Sequence, residues 1–371
     1  MAKARVLVVD DSVVIRRLIT RALESETDIE VVGTAANGVL ALAKIEQLRP
    51  DLVTLDIEMP EMDGLTTLGH IRKADGRLPV IMCSTLTERG ASATLEALAL
   101  GATDYVTKPG SQLNSNLEQV LANLHDELVP KIRALCRHIT PDPSQPSPRA
   151  ARRAPAAPTT PVAPVKRGPA PMVQAVVIGV STGGPSALAE VIPHLPGDLS
   201  VPVLVCQHMP PVFTRLLAER LDSKSALSVK EAADGDVLTP GGVWVAPGGL
   251  HMVVGRAGSL TVVRTNTEPP ENSCRPAVDP LLRSATAAWG SGVLAVILTG
   301  MGQDGLHGCE GVVAAGGRVI AQDEASSVVW GMPGYVVRSG LADRAVALDD
   351  VAGEIARRVA GQSLATARSE R

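Results

Sequence analysis

The stretch Ala-Val-Val-Ile-Gly-Val-Ser-Thr-Gly-Gly-Pro-Ser, residues 175 to 186, decides how the second half of the chain folds. Its apolar residues, bounded by glycine, read as a buried strand, and Gly-Gly-Pro then opens a helix-like run, Ser-Ala-Leu-Ala-Glu-Val-Ile. Between the two stands Ser181. Gly179, Ser181 and Gly183 have the Gly-x-Ser-x-Gly spacing of a nucleophile turn, in which missing Cβ atoms let the backbone bend sharply and present a hydroxyl beyond the strand end. The same residues also suit a turn that binds phosphate on a helix N-terminus, with Ser181 as a cap. Both readings stay open on this stretch alone.

Outward from it, strands and helices alternate. Val201 to Gln207 is a strand whose end delivers His208 in Gln-His-Met-Pro-Pro, and Phe213 to Leu221 reads as the next helix. Val229 to Arg264 is rich in glycine, valine and turn pairs, and Gly-Gly-Val-Trp-Val-Ala-Pro-Gly-Gly suggests a small hairpin there. The apolar run Gly292 to Thr299 leads into Gly-Met-Gly-Gln-Asp-Gly and delivers Asp304, and Arg318 to Gln322 is a further strand. Such alternation predicts a parallel sheet with helices on both faces, whose functional residues gather outside the strand carboxyl ends. Ser181, His208 and Asp304 then share one edge. A serine hydroxyl needs a base to take its proton, and an imidazole needs a carboxylate to fix its tautomer. Of the seven histidines, only His307, in the same glycine loop as Asp304, rivals His208 as the base. The chain order Ser, His, Asp differs from the Ser, Asp, His of α/β-hydrolases. Gly300, Gly302 and Gly305 free the backbone around Asp304, and the N–H groups there, that of Met301 among them, are candidates for an oxyanion hole.

The first half repeats the alternation. Arg5 to Asp11 is a strand ending in two carboxylates, followed by a helix over Ser12 to Glu24; Ile29 to Gly33 precedes a helix over Gly38 to Leu48. Asp51 to Asp56 places Asp56 at a strand end, Pro79 to Ser84 ends in a hydroxyl, and Ala102 to Pro109 carries Lys108 past the last strand. Residues 126 to 137 read as the end of a helix. Asp10, Asp11 and Asp56 therefore converge, and their repulsion is best relieved by a hard divalent cation such as Mg²⁺.

Thr140 to Pro171 differs in kind, because ten of the 28 prolines fall between Pro141 and Pro171 among Ala, Ser, Thr and Arg. That composition predicts a solvated, semi-extended linker able to reach on the order of 90 Å. The expected division is thus a first domain over 1–137, a linker over 138–171 and a second domain over 172–371. With 371 residues, 45% hydrophobic and 20% charged, the chain can build two cores, which at 2% aromatic content must come from Val, Leu, Ile and Ala. A net charge of −4 argues against nucleic acid or an anionic membrane as partner. No run approaches the roughly 18 apolar residues of a membrane span, so no membrane insertion and a cytoplasmic location are expected. Five cysteines without a Cys-x-x-Cys pair suggest neither disulfides nor structural zinc.

Two resemblances follow from these residues. Residues 4 to 125 resemble the receiver domain of two-component response regulators, a flavodoxin-like doubly wound sheet. By that resemblance Asp56 accepts a phosphoryl group from a histidine kinase, Asp10 and Asp11 hold Mg²⁺, Lys108 pairs with the phosphoryl oxygens, and Ser84 and Tyr105 form the switch. Gly-Val-Ser-Thr-Gly-Gly-Pro (179–185), Gln-His-Met-Pro-Pro (207–211), Arg-Pro-Ala-Val-Asp (275–279), Leu-Thr-Gly-Met-Gly-Gln-Asp-Gly (298–305) and Gly-Met-Pro (331–333) resemble the bacterial chemotaxis methylesterase family, CheB type. This implies a doubly wound catalytic domain that demethylates glutamate esters of methyl-accepting chemoreceptors and deamidates their glutamines. Ser181 would be nucleophile, His208 general base and Asp304 its orienting carboxylate, with the Met301 amide in the oxyanion hole and no cofactor in that domain. Cys274 and Ala277 depart from the His and Ser of many members. Two other readings are a receiver-controlled binding module at the Gly-Gly-Pro turn and an esterase acting outside chemotaxis.

Overall fold

The computed structural model describes residues 3–109, 117–136 and 172–361, which form two compact units. The expected linker at 138–171 lies outside the described residues, and each unit is described by itself.

In the first unit, five parallel strands are ordered β2-β1-β3-β4-β5: β1 Ala4–Val9, β2 Ile29–Ala35, β3 Leu52–Asp56, β4 Val80–Ser84 and β5 Asp104–Thr107. Strand order reverses between β1 and β3, which is the place where open parallel sheets bind ligands. The helices are α1 Val13–Leu23, α2 Gly38–Leu48, α3 Gly64–Ala74, α4 Glu88–Ala99 and α5 Leu117–Leu135. Four of them start where a short polar side chain satisfies an orphan N–H: Ser12, Asn37, Asp63 and Thr87 accept from the N–H groups of Ile15, Leu40, Thr66 and Gly90. The helix end expected at 126–137 is the close of α5, which continues through Pro130.

The second unit carries a seven-stranded sheet in the order β14-β13-β12-β6-β7-β9-β8, parallel throughout. Its strands are β6 Ala175–Val180, β7 Val203–Gln207, β8 Ser228–Glu231, β9 Gly242–Val245, β12 Val293–Ile297, β13 Arg318–Gln322 and β14 Arg344–Val346. From β6 the chain lays β7, β8 and β9 on one side and later β12, β13 and β14 on the other, the doubly wound plan. Its helices are α6 Gly184–Val191, α7 Phe213–Asp222, α8 Val278–Trp289, α9 Leu306–Ala314, α10 Met332–Arg338 and α11 Leu348–Val359. Strands β6, β7 and β12 are buried along their whole length, as strands covered on both faces must be.

The hairpin is displaced from its expected position. Gly-Gly-Val-Trp-Val-Ala-Pro-Gly-Gly forms β9, which runs parallel to β7 and β8 inside the main sheet, and the antiparallel pair is β10 His251–Ala257 with β11 Leu260–Asn266. The glycine pairs flanking β9 looked like hairpin turns, but Val243, Trp244 and Val245 are all buried, so this run is a two-faced core strand. Among the described residues no helix is long and apolar enough to cross a membrane.

Candidate catalytic and phosphoacceptor sites

Ser181 and His208 directly follow the neighbouring strands β6 and β7, and Asp304 lies in the loop after β12, which pairs with the other side of β6. The Ser181 N–H donates to Thr299 O (3.0 Å) and the His208 N–H to Val180 O (3.3 Å), so the loops after the three strands are tied together by backbone. Ser181 opens the turn into α6, whose Gly183 takes a left-handed φ of 78° that a side chain would strain. Gln207, whose role the sequence does not reveal, ties this turn down: its side-chain amide donates to Ser181 O (3.1 Å) and His208 O (3.2 Å).

His208 Nε2 lies 2.7 Å from Asp304 Oδ2, and its Nδ1 faces Cys274 Sγ at 3.4 Å. Asp304 is 2% exposed. Its Oδ2 also accepts the Val278 N–H (2.7 Å), and its Oδ1 accepts the Asn272 amide (3.0 Å) and the N–H groups of Asp279 (3.1 Å) and Gly305 (3.0 Å). Burial works to raise the Asp304 pKa, but the His208 hydrogen bond and charge and these N–H donors outweigh it and hold the carboxyl below its ordinary value. Burial likewise works to lower the His208 pKa, and the hydrogen bonds to Asp304 and Cys274 reverse this and push it up to about 10.

Among the described residues no hydrogen bond joins the Ser181 hydroxyl to His208. His307, the rival base, is turned outward to Glu310 Oε2 at 3.1 Å and stands exposed. The loop after β12 lies close against the serine: a Cβ on Gly300 would fall 2.9 Å from Ser181 Cβ and 2.4 Å from Met332 Sδ. Gly300 is pinned by Val329 O on its N–H and by the N–H groups of Gly331 and Met332 on its carbonyl. The next residue is Met301, whose N–H has no acceptor among the described residues. That amide follows the residue packed against Ser181, which makes it a candidate oxyanion donor.

Asn272 and Asp279 were missed as site residues. Asn272 Nδ2 bridges Asp304 Oδ1 and Asp279 Oδ2, both at 3.0 Å, and Asp279 Oδ1 accepts the Gly308 N–H (2.6 Å). Burial and the neighbouring Asp304 charge raise the Asp279 pKa. The turn-prone Asn-Ser pair at 272–273 was the available signal, since Asn tolerates the left-handed region in which both residues lie.

In the first unit, Asp10, Asp11 and Asp56 come together as expected, with carboxylate oxygens within 4.8 Å of one another. Lys108 Nζ reaches Asp10 Oδ2 (2.7 Å) and Asp56 Oδ1 (2.6 Å). Burial first and the Asp10 charge second push the Asp56 pKa up to about 6 against the pull of Lys108. Two buried carboxylates sharing one ammonium remain under-neutralised, and an all-oxygen donor set of this kind fits Mg²⁺. Ser84 is brought to the adjacent strand end, but its hydroxyl turns to Gly90 O (3.0 Å) in α4. Tyr105 is buried, with the Lys131 ammonium 5.2 Å from its ring centroid.

The fold and site define a receiver unit followed by a doubly wound unit with a serine, a His–Asp pair and a free amide at one sheet edge. A response regulator receiver domain matches residues 6–119, and a CheB methylesterase domain matches residues 176–355. The chain is 48% identical to a protein-glutamate methylesterase/protein-glutamine glutaminase of Trichodesmium erythraeum, over 97% of this chain and 100% of that one. It is 50% identical to a protein of the same description from a Nocardioides species, over 98% and 97%. The catalytic domain of Thermotoga maritima CheB methylesterase aligns at 43% identity with a TM-score of 0.49, over 50% of this chain and 99% of that one. The chain belongs to the protein-glutamate methylesterase/protein-glutamine glutaminase family, a family of hydrolases carrying a receiver domain.

Proposed function

We propose that this protein hydrolyses glutamate methyl esters of methyl-accepting chemoreceptors, and deamidates receptor glutamines, under control of receiver phosphorylation. The observation that carries the chemistry is the 2.7 Å His208–Asp304 pair at the ends of the two strands flanking that of Ser181. Because Nε2 is committed to Asp304, the serine proton passes to Nδ1 as Ser181 Oγ attacks the γ-carbonyl. The Met301 N–H takes the oxyanion, and His208 returns the proton to the departing methanol, or to ammonia from a glutamine. Water, deprotonated by the same nitrogen, then attacks the acyl-serine and releases glutamate.

Asp56 is the acceptor for a phosphoryl group delivered by the chemotaxis histidine kinase, with Lys108 placed to pair with the incoming oxygens and Ser84 and Tyr105 to sense them. Mg²⁺ held by Asp10, Asp11 and Asp56 would neutralise the charge that gathers there. The domain plan that goes with this is a receiver over 1–137, a linker over 138–171 and a catalytic domain over 172–371, working in the cytoplasm. The experiment is methanol release from membranes holding methyl-labelled chemoreceptors, with and without a small phosphoryl donor. Release that rises with the donor and falls to background in Ser181→Ala supports the reading. Release that survives in Ser181→Ala, or no release with the donor present, sinks it.

A further inference from the structure

The residues that follow β11 end in a turn whose construction is unusually complete. Glu271 and Cys274 face each other, with N–H to O distances of 3.1 and 2.8 Å, and the two residues between them, Asn272 (φ 50°) and Ser273 (φ 62°), are both left-handed. That is the pattern of a tight two-residue hairpin turn. Its first residue is fixed from outside, because Arg283 of α8 grips both carboxylate oxygens of Glu271. From this rigid turn two side chains descend on the His208–Asp304 pair: Asn272 onto Asp304 Oδ1, and Cys274 onto His208 Nδ1.

The second contact matters because of which nitrogen it uses. His208 gives Nε2 to Asp304, so Nδ1 is the only nitrogen left to receive the Ser181 proton, and Cys274 Sγ already occupies it at 3.4 Å. Cys274 is the only cysteine among the described residues that is not buried. We propose that Cys274 is a positioning residue: its sulfur faces Nδ1 and accepts the N–H of that nitrogen, holding the imidazole in place once it has taken the serine proton. The inference rests on His208 being the base. The charged and titratable groups around His208 are Asp304 on the loop after β12, Cys274 on the turn, Cys206 in β7 and, one hydrogen bond behind Asp304, Asp279. Of these, Asp304 and Cys274 touch the ring and strengthen its hold on the proton.

The test compares the full chain with Cys274→Ala and Cys274→Ser, reading the acid limb of kcat/KM against pH and, in parallel, the NMR titration of the His208 ring. In Cys274→Ala both should move together to lower pH by about one unit, a tenfold fall in proton affinity of the size one hydrogen bond to a charged group brings. Cys274→Ser, which keeps a polar atom on the turn, should move them less. A ring titration that is unmoved or shifted upward overturns the proposal even if the esterase chemistry stands. A ring that titrates lower while the kinetic limb stays fixed shows that His208 is not the base, and the proposed role of Cys274 falls with that assignment.

Discussion

Asp304 Oδ2 accepts both His208 Nε2 and the Val278 N–H at 2.7 Å, so the carboxylate paired with the proposed base is itself anchored to the first residue of α8. With three further donors on Oδ1, it cannot rotate from the imidazole without stranding buried backbone N–H groups. Asp304→Asn replaces an acceptor by an amide that cannot satisfy both sides. We expect kcat to fall by about 10³ to 10⁴-fold.

The pH dependence has a defined sign. As the proposed base His208 must be unprotonated, and its pKa is pushed up to about 10 by Asp304 and Cys274 against burial. The kcat/KM of the full chain should therefore climb from pH 6 through pH 9, and Asp304→Asn should bring the limb of its residual activity to lower pH. A wild-type profile already flat at pH 7 contradicts this.

Gly300→Ala should separate positioning from folding. The new Cβ would lie 2.4 Å from the buried Met332 Sδ and 2.9 Å from Ser181 Cβ, so either the serine turn or the Met301 loop must shift. A displacement of about 1 Å costs on the order of 10²-fold in rate. The loss should appear in kcat, while phosphorylation of Asp56, measured with a small phosphoryl donor, stays at the wild-type level.

Much of this was legible in the chain. Strand-helix alternation and the carboxyl-end rule were enough to bring Ser181, His208 and Asp304 to one edge, because Ser181 and His208 directly follow apolar strand runs and Asp304 lies in the glycine loop after a third. Position along the chain does not fix which way a side chain turns. That Nδ1 of His208 meets Cys274, that Ser84 turns to Gly90 and that Asn272 links two carboxylates depend on loops whose path is set by long-range packing. The β9 misreading has the same origin: flanking glycine pairs are local turn signals, and burial on both faces overrode them.

Asn272 is expected to matter for stability as well as rate. Among the described residues its amide is the one side-chain donor shared by Asp304 and Asp279, each 2% or less exposed. Asn272→Ala leaves two buried carboxylates facing each other with one fewer donor, at a cost of about 1.5–3 kcal/mol. Urea unfolding of the full chain, followed through the tryptophans Trp244, Trp289 and Trp330, all in the second unit, should report that loss. Asn272→Asp, which adds a third carboxyl, should be worse than Ala above the pH at which that group ionises.

Asp56 gives the opposite result in the receiver. Its pKa is pushed from an ordinary 3.8 to about 6 by burial and by Asp10, so the folded state binds its proton more readily than the unfolded chain does. Between about pH 4 and pH 6 this group therefore makes stability fall as pH rises, and above pH 7 its full destabilising charge is present. Asp56→Asn removes that charge and should stabilise the receiver at pH 7.5 by about 1–2 kcal/mol, the lost Lys108 contact absorbing part of the gain. Hydrogen exchange of the β1 and β3 amides in the full chain measures it. Mg²⁺ should slow that exchange in the wild type far more than in Asp56→Asn, because the ion gains most where carboxylates repel. Equal slowing in both would place the ion elsewhere than on Asp10, Asp11 and Asp56.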